Sequence, residues 1–273
     1  GNLLPVVVEE LASVGLEVWL STLAYGARAV LLLDDGAAPG AVLRAIEEQV
    51  AVTREILAAM GYASNAVRAI TLPDLSTDLA GLMPEIAGAG FSGIGGKRQT
   101  AYLAVDHLYS QAKRPKPLAN LPAGAPFGTA YVTEQDCTLC FACVGACPGK
   151  ALQAGEGEPQ LKFIEANCLQ CGMCTRTCPE NAIWITPRLL FDRPARHKLR
   201  ILYEEEPFCC TSCGKPFATR SVIDGMFAKL QGHWMFQDER ARKRLTMCED
   251  CRVVDAVQDP DAMEAGINGQ KLK

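Results

Sequence analysis

Eight cysteines of this sequence recur in one pattern. CTLCFACVGACP runs from Cys137 and CLQCGMCTRTCP from Cys168, each a C-x2-C-x2-C-x3-C-P run. Thiolates suit soft metals, and four of them at the corners of a tetrahedron suit a cubane of iron and sulfide. Two-residue spacing lets one tight loop supply three thiolates, and the fourth, next to proline, comes from the other repeat. The spacing therefore predicts two 4Fe–4S clusters. One uses Cys137, Cys140, Cys143 and Cys178; the other uses Cys168, Cys171, Cys174 and Cys147. Crossed ligation of this kind couples cluster binding to folding. Pro148 and Pro179 end the cysteine loops, while small residues such as Ala142, Gly145, Ala146 and Gly172 let backbone N–H groups approach the sulfurs. Two zinc sites would also take four thiolates each. Zinc motifs, however, rarely show three cysteines at this spacing plus a fourth before proline, duplicated in one domain. Thiolate-only ligation favours a low-potential, one-electron carrier at each cluster.

The chain has thirteen cysteines, none before Cys137. Cys210-x2-Cys213-Gly214 and Cys248-x2-Cys251 form two further C-x2-C pairs. Two such knuckles predict a closed tetrahedral zinc site on Cys210, Cys213, Cys248 and Cys251. A further cluster or a redox-active dithiol fits less well, since neither pair has a third close cysteine or a βαβ context. Cys209 is left over and reads as a buried spare thiol. His233, between the pairs, reads as packing or surface, because four thiolates already complete the site.

These ligands must be held by a scaffold. Leu4–Glu9, Arg28–Leu33 and Val67–Leu72 read as strands, and Leu16–Tyr25 and Pro39–Met60 as amphipathic helices ending at Gly26 and Gly61. Alternation of this kind predicts a small parallel βαβαβ sheet. Pro84–Ala87 and Lys97–Gln111 read as further helices, and the proline-rich stretch 112–128 as a semi-rigid surface linker. The expected fold class is α/β plus α+β. Residues 1–111 form the α/β domain, 112–128 the linker and 129–188 a ferredoxin-like domain for two clusters; 189–257 form a zinc-ribbon-like module with a helix near Ser221–Leu230, and 258–273 a frayed tail.

Composition excludes several classes. A net charge of -4 argues against a dedicated nucleic-acid binder. No apolar run reaches the roughly eighteen residues of a membrane span. Grouped C-x2-C pairs place the chain in a reducing compartment, so a cytoplasmic location is expected. The opening Gly1-Asn2-Leu3-Leu4-Pro5 reads as the start of a truncated chain, with a native N-terminal region missing before it. Between 129 and 188, six Asp and Glu face four Lys and Arg, a mild acidic bias that would suit a basic docking patch. GIGGKRQT (Gly93–Thr100) fails the phosphate-loop test, because Arg98 follows Lys97 where serine or threonine is needed. It reads as a glycine turn before a helix. The run Arg240–Arg244 reads as a solvated face balanced by Asp238, Glu239, Glu249 and Asp250. His107, His197 and His233 are scattered, and no nucleophile or paired-carboxylate arrangement accompanies them, so an electron carrier without its own substrate site is expected.

At the cysteine repeats the chain resembles bacterial two-cluster ferredoxins. More widely, LPAGAPFG, CTLCFACVGACP, CLQCGMCTRTCPE, PFCCTSCGKPF and MCEDCR resemble the C-terminal part of a proteobacterial 4Fe–4S-binding protein family. Genes of that family commonly lie near those of formate dehydrogenase and molybdoenzyme chaperones. The resemblance implies a redox protein partner such as formate dehydrogenase. The N-terminal stretch is similar, more weakly, to the delta subunit of methyl-viologen-reducing hydrogenase, which relays electrons through a 2Fe–2S cluster. With no cysteine before Cys137, that cluster cannot be carried over, and a docking or structural role is expected instead. The leading expectation is an electron-transfer protein or subunit. The alternatives are an assembly or maturation scaffold for a molybdenum-dependent formate dehydrogenase, or an enzyme whose active site lies in a missing N-terminal region.

Overall fold

The computed structural model describes residues 3–76, 82–93 and 95–259. Its first half contains α1 (Leu16–Ala24), β1 (Val30–Asp34), α2 (Gly40–Met60), β2 (Val67–Thr71), α3 (Lys97–Gln111), β3 (Leu118–Asn120) and β4 (Gly128–Val132). Then follow α4 (Ala142–Gly145), β5 (Leu152–Ala154), β6 (Gln160–Phe163), α5 (Met173–Thr177) and β7 (Ile183–Leu190). The last part holds α6 (Arg193–His197), β8 (Arg200–Glu204), β9 (Pro207–Cys209), β10 (Pro216–Thr219), α7 (Arg220–Leu230), α8 (Glu239–Arg244) and α9 (Glu249–Val257). The chain divides into two compact units: 1–129 with 165–171 and 185–198, and 130–164 with 172–184 and 199–273.

The longer helices of the first unit are α1, α2 and α3. α1 buries Leu16, Trp19, Leu20, Leu23 and Ala24, the one-face spacing of a helix that packs on a neighbour, here α3. α2 buries Ile46, Val50, Thr53, Leu57 and Met60 on a similar stripe. It stops at Gly61, whose φ of 81° is the left-handed conformation glycine adopts without strain. The amides of Gly61 and Tyr62 donate to the carbonyls of Ala58 and Leu57, closing the last turn. β1 and β2 pair in parallel, Val30 opposite Val67 through Asp34 opposite Thr71. β3 pairs antiparallel with β7, Leu118 opposite Leu190, in a sheet of order β3-β7-β4.

Three expectations are corrected here. Leu4–Glu9 forms no strand, and Val7 is 96% exposed. Its valines favour extended backbone, but β1 pairs only with β2 among the described residues, so the parallel sheet is one βαβ unit rather than βαβαβ. Pro84–Ala87 is irregular, not helical. The segment is pinned just before it, where the Met83 amide donates to the Arg28 carbonyl and Arg28 Nε donates back to the Met83 carbonyl. The stretch 112–128 is no simple surface linker: it supplies β3 and buries Ala119, Leu121, Ala125 and Phe127.

In the second unit, β5, β6 and β8 form an antiparallel sheet with β6 central, and Leu152, Leu161 and Phe163 are buried. α4 packs on α5. β9 and β10 make a hairpin, and α7 begins where the Thr219 side chain accepts from the Val222 amide. No helix among the described residues is long and apolar enough to cross a membrane. The tail from 260 onward and Gly1-Asn2 lie outside the described residues.

Candidate metal centres

The two cysteine repeats share one backbone. Among the described residues, all five non-glycine residues with positive φ lie in them or two residues past their prolines: Leu139, Phe141, Lys150, Gln170 and Asn181. The repeats are offset by 31 residues (Cys137 to Cys168), and the offset maps Leu139 on Gln170, Phe141 on Gly172 (φ 73°) and Lys150 on Asn181. A left-handed residue between cysteines turns successive N–H groups into one concavity, which is how short loops cradle anions. The same offset relates two sulfur contacts: the Ala151 amide donates to Cys147 Sγ and the Ala182 amide to Cys178 Sγ, each at 3.3 Å. It also relates the start of α4 to the start of α5. Left-handed leucine and phenylalanine cost backbone energy, and such strain collects at ligand sites.

In the second unit, Cys137, Cys140, Cys143 and Cys178 line one cavity, closed by apolar side chains such as Leu139 and Leu161. Burial, together with the neighbouring thiols Cys137, Cys140, Cys174 and Cys178, pushes the Cys143 thiol up to about 12. Burial likewise raises Cys137. Thiols crowded in this way ionise only against compensating positive charge, which a bound iron core supplies. The donor set thus fits a cluster. Of the remaining four, Cys147 and Cys174 are half-buried in the second unit. Cys168 is buried and Cys171 exposed in the first. There, Gln170 Nε2 donates to Cys168 Sγ at 3.3 Å and to the Thr129 carbonyl at 3.2 Å.

Sequence reasoning missed Arg98. It sits in the glycine-rich GIGGKRQT segment, of which Ile94 lies outside the described residues, and opens α3. Its Nε donates to the Ala166 carbonyl at 2.7 Å, and its Nη2 to the Cys168 carbonyl at 2.7 Å and to the Tyr102 hydroxyl at 2.8 Å. Its Nη1 donates to the Pro126 carbonyl at 2.6 Å.

Cys210, Cys213, Cys248 and Cys251 form a second centre, with one ligand atom each and all within 4.8 Å of one another. The first pair lies on the turn of the β9–β10 hairpin, where Gly214 adopts φ 76° and the Cys210 amide donates to the Lys215 carbonyl. The second pair opens α9, with Cys248 as its N-cap. Burial opposes ionisation of Cys210. The N–H groups of Cys248, at 3.2 Å, and Ser212, at 3.4 Å, outweigh it and bring that thiol down to about 6. Met247 and Phe217 pack beside this thiol pocket. His233 lies outside this centre, exposed and stacked on Trp234. Cys209, expected to be buried, is exposed on β9. Arg240 and Arg244 pair with Asp255 and Asp259, not with the nearer acids.

Duplicated cysteine loops of one backbone design, with a cavity lined by four thiols, define an iron–sulfur module of the electron-transfer class. Residues 136–183 match the family described as a 4Fe-4S dicluster domain. No curated protein matches the chain.

Proposed function

We propose that this chain is an electron relay that passes single electrons through two 4Fe–4S clusters to a redox protein partner. The observation that carries the reading is the repeat of left-handed backbone, position for position, around both sets of cysteines. Cys137, Cys140, Cys143 and Cys178 would hold one cluster, and Cys168, Cys171, Cys174 and Cys147 the other. The clusters supply one-electron redox chemistry. The chain's own residues hold the thiolates, donate N–H groups to their sulfurs and exclude water with apolar side chains such as Leu139 and Leu161. A redox enzyme such as formate dehydrogenase is the partner that the sequence resemblance favours. The test is iron content and EPR of the anaerobically purified, dithionite-reduced chain. About eight irons and a cubane-type reduced signal are expected; iron far below that refutes the relay.

The Cys210, Cys213, Cys248 and Cys251 centre is read as structural zinc in a ribbon-like module within 189–257. Zinc–thiolate bonds of about 2.3 Å put tetrahedral sulfurs roughly 3.8 Å apart. Cys213 Sγ and Cys248 Sγ stand 3.7 Å apart. A cubane, with four irons between its thiolates, needs a wider set. Cys213→Ser is expected to lose about one zinc per chain and keep the iron; loss of iron instead would assign this centre to a cluster.

A further inference from the structure

Arg98, Tyr102 and Asp106 recur every four residues along α3 and share one face. Arg98 reaches the loop that leads into the second cysteine repeat. Its described polar contacts are three backbone carbonyls (Pro126, Ala166, Cys168) and the Tyr102 hydroxyl, none of them a carboxylate. The guanidinium also stacks against the Tyr102 and Phe127 rings, 5.1 and 4.9 Å from their centroids. Its charge therefore stands beside the Cys168 peptide without a carboxylate in contact. Two other arginines of this unit are paired with carboxylates: Arg188 with Glu165 at 2.6 Å, and Arg196 with Asp106 at 2.5 Å.

The Cys137 cavity has the opposite setting. Its lining includes a carboxylate, Glu180. The cation paired with Glu180, Lys229, lies at 3.4 Å and is 75% exposed, so water screens it.

We propose that Arg98 makes the two clusters unequal: it pins the Cys168 loop and sets the cluster on that loop at a higher reduction potential than the cluster in the Cys137 cavity. The proposal rests on the two-cluster reading above. Reduction adds one negative charge to a cluster, and net charge and hydrogen bonding are what set its potential. A fixed cation favours the reduced form, and a nearby carboxylate disfavours it. The cation is also a positioning device. The peptides are trans, so holding the Ala166 and Cys168 carbonyls turns the N–H groups of Asn167 and Leu169 away from Arg98. Guanidinium does not titrate in the working range, so its effect persists across pH. With this ordering the Cys168 set would hold the electron of a singly reduced chain.

The test is an anaerobic EPR-monitored redox titration of the full chain, with iron content measured on the same samples. The wild type should show two separate midpoints. Arg98→Met should lower the upper one by about tenfold in the oxidised-to-reduced ratio, about 59 mV for one electron, and leave the lower unchanged. Arg98→Lys, which keeps the charge and loses the fork, should retain most of the difference. Glu180→Gln should raise the lower midpoint. Should Arg98→Met lose half its iron, the surviving cluster must titrate at the lower wild-type midpoint; survival of the upper one overturns the proposal. Full iron in Arg98→Met with both midpoints unmoved also overturns it, as does a wild type whose midpoints coincide. A wild type without about eight irons fails the two-cluster reading itself, a separate result.

Discussion

Arg196 is the most deeply buried charge among the described residues of the first unit, with its side chain 1% exposed, and Asp106 on α3 is its counter-ion at 2.5 Å, itself 21% exposed. Arg196 Nη1 also donates to the carbonyls of Leu190 and Phe191, and its guanidinium lies over the Tyr102 ring at 4.4 Å. Asp106→Ala removes the carboxylate and leaves that charge in place. Breaking a buried pair from one side costs about 3–5 kcal/mol. The lower end applies, because Asp106 is partly wet and Arg196 keeps its carbonyl partners. Alanine returns about 0.5 kcal/mol through its better helix propensity. The net loss is about 2.5 kcal/mol, or roughly fiftyfold to a hundredfold in the local opening equilibrium. Metal-coupled folding, as proposed above, would make a global two-state analysis unsuitable, so hydrogen exchange of the α3 amides is the assay. Protection of Tyr102–Leu108 should fall by that factor. Adding Arg196→Met should restore part of it, because the stranded charge is gone. A fall smaller than about fivefold, or a double variant worse than Asp106→Ala, would refute the stranded-charge argument.

Crossed ligation is separable from uncrossed by pairs of substitutions. Cys137→Ser with Cys178→Ser disables one cluster and should keep about half the iron, whereas Cys137→Ser with Cys147→Ser disables both and should lose nearly all of it; the reverse ranking means each repeat closes its own cluster. Gly128→Ala would bring a Cβ to 2.3 Å from Gln170 Nε2 and 2.4 Å from the Thr186 carbonyl oxygen, which is backbone and cannot swing aside. It should cost about 2–3 kcal/mol and displace the amide that donates to Cys168 Sγ, read as lower exchange protection of β7; unchanged protection would show that the strands part freely. Asp255 is held below the ordinary carboxylate range by hydrogen bonds from Arg240 and then Arg244. Its contribution is therefore complete above its unfolded pKa of about 4 and is lost as pH falls through the depressed folded value. The difference in exchange protection of the α9 amides between wild type and Asp255→Asn should be constant above about pH 5 and close towards pH 3; a difference that widens on acidification contradicts the pairing.

The elements most readable from sequence are those whose determinants are local. The stripe Leu16, Trp19, Leu20, Leu23 and Ala24 fixes a helix and its buried face together, and Gly61 marks the end of α2 by a backbone conformation open to few other residues. Leu4–Glu9 has equally suitable residues for a strand, but a strand exists only with a partner, and pairing is not written in the segment itself. Ion pairs fail for the same reason. Arg240 and Arg244 were expected to balance against nearby acids, yet their partners, Asp255 and Asp259, are set by how α8 meets the end of α9. Arg98 is the extreme case. Two of its partners are the carbonyls of Ala166 and Cys168, and a carbonyl is common to every residue, so no side-chain pattern betrays the contact.

The cysteine loops divide in the same manner. The expected ligands follow from spacing, since thiolates two residues apart can meet one metal core. The backbone that presents them does not follow. Sequence reasoning puts glycine wherever φ turns positive, and Gly172 obeys that rule, but its counterpart in the first repeat is Phe141 and the residue two before it is Leu139. Left-handed backbone costs an ordinary residue roughly 1–2 kcal/mol. Those residues stay there because their side chains face the apolar cavity while their N–H groups belong to the loop that carries the thiolates. The two demands, an apolar wall and a turned backbone, fall on one position, and glycine could meet only the second. Strain in the first repeat is thus the consequence of lining the cavity with the same residues that shape the loop, a compromise that the proposed cluster would stabilise.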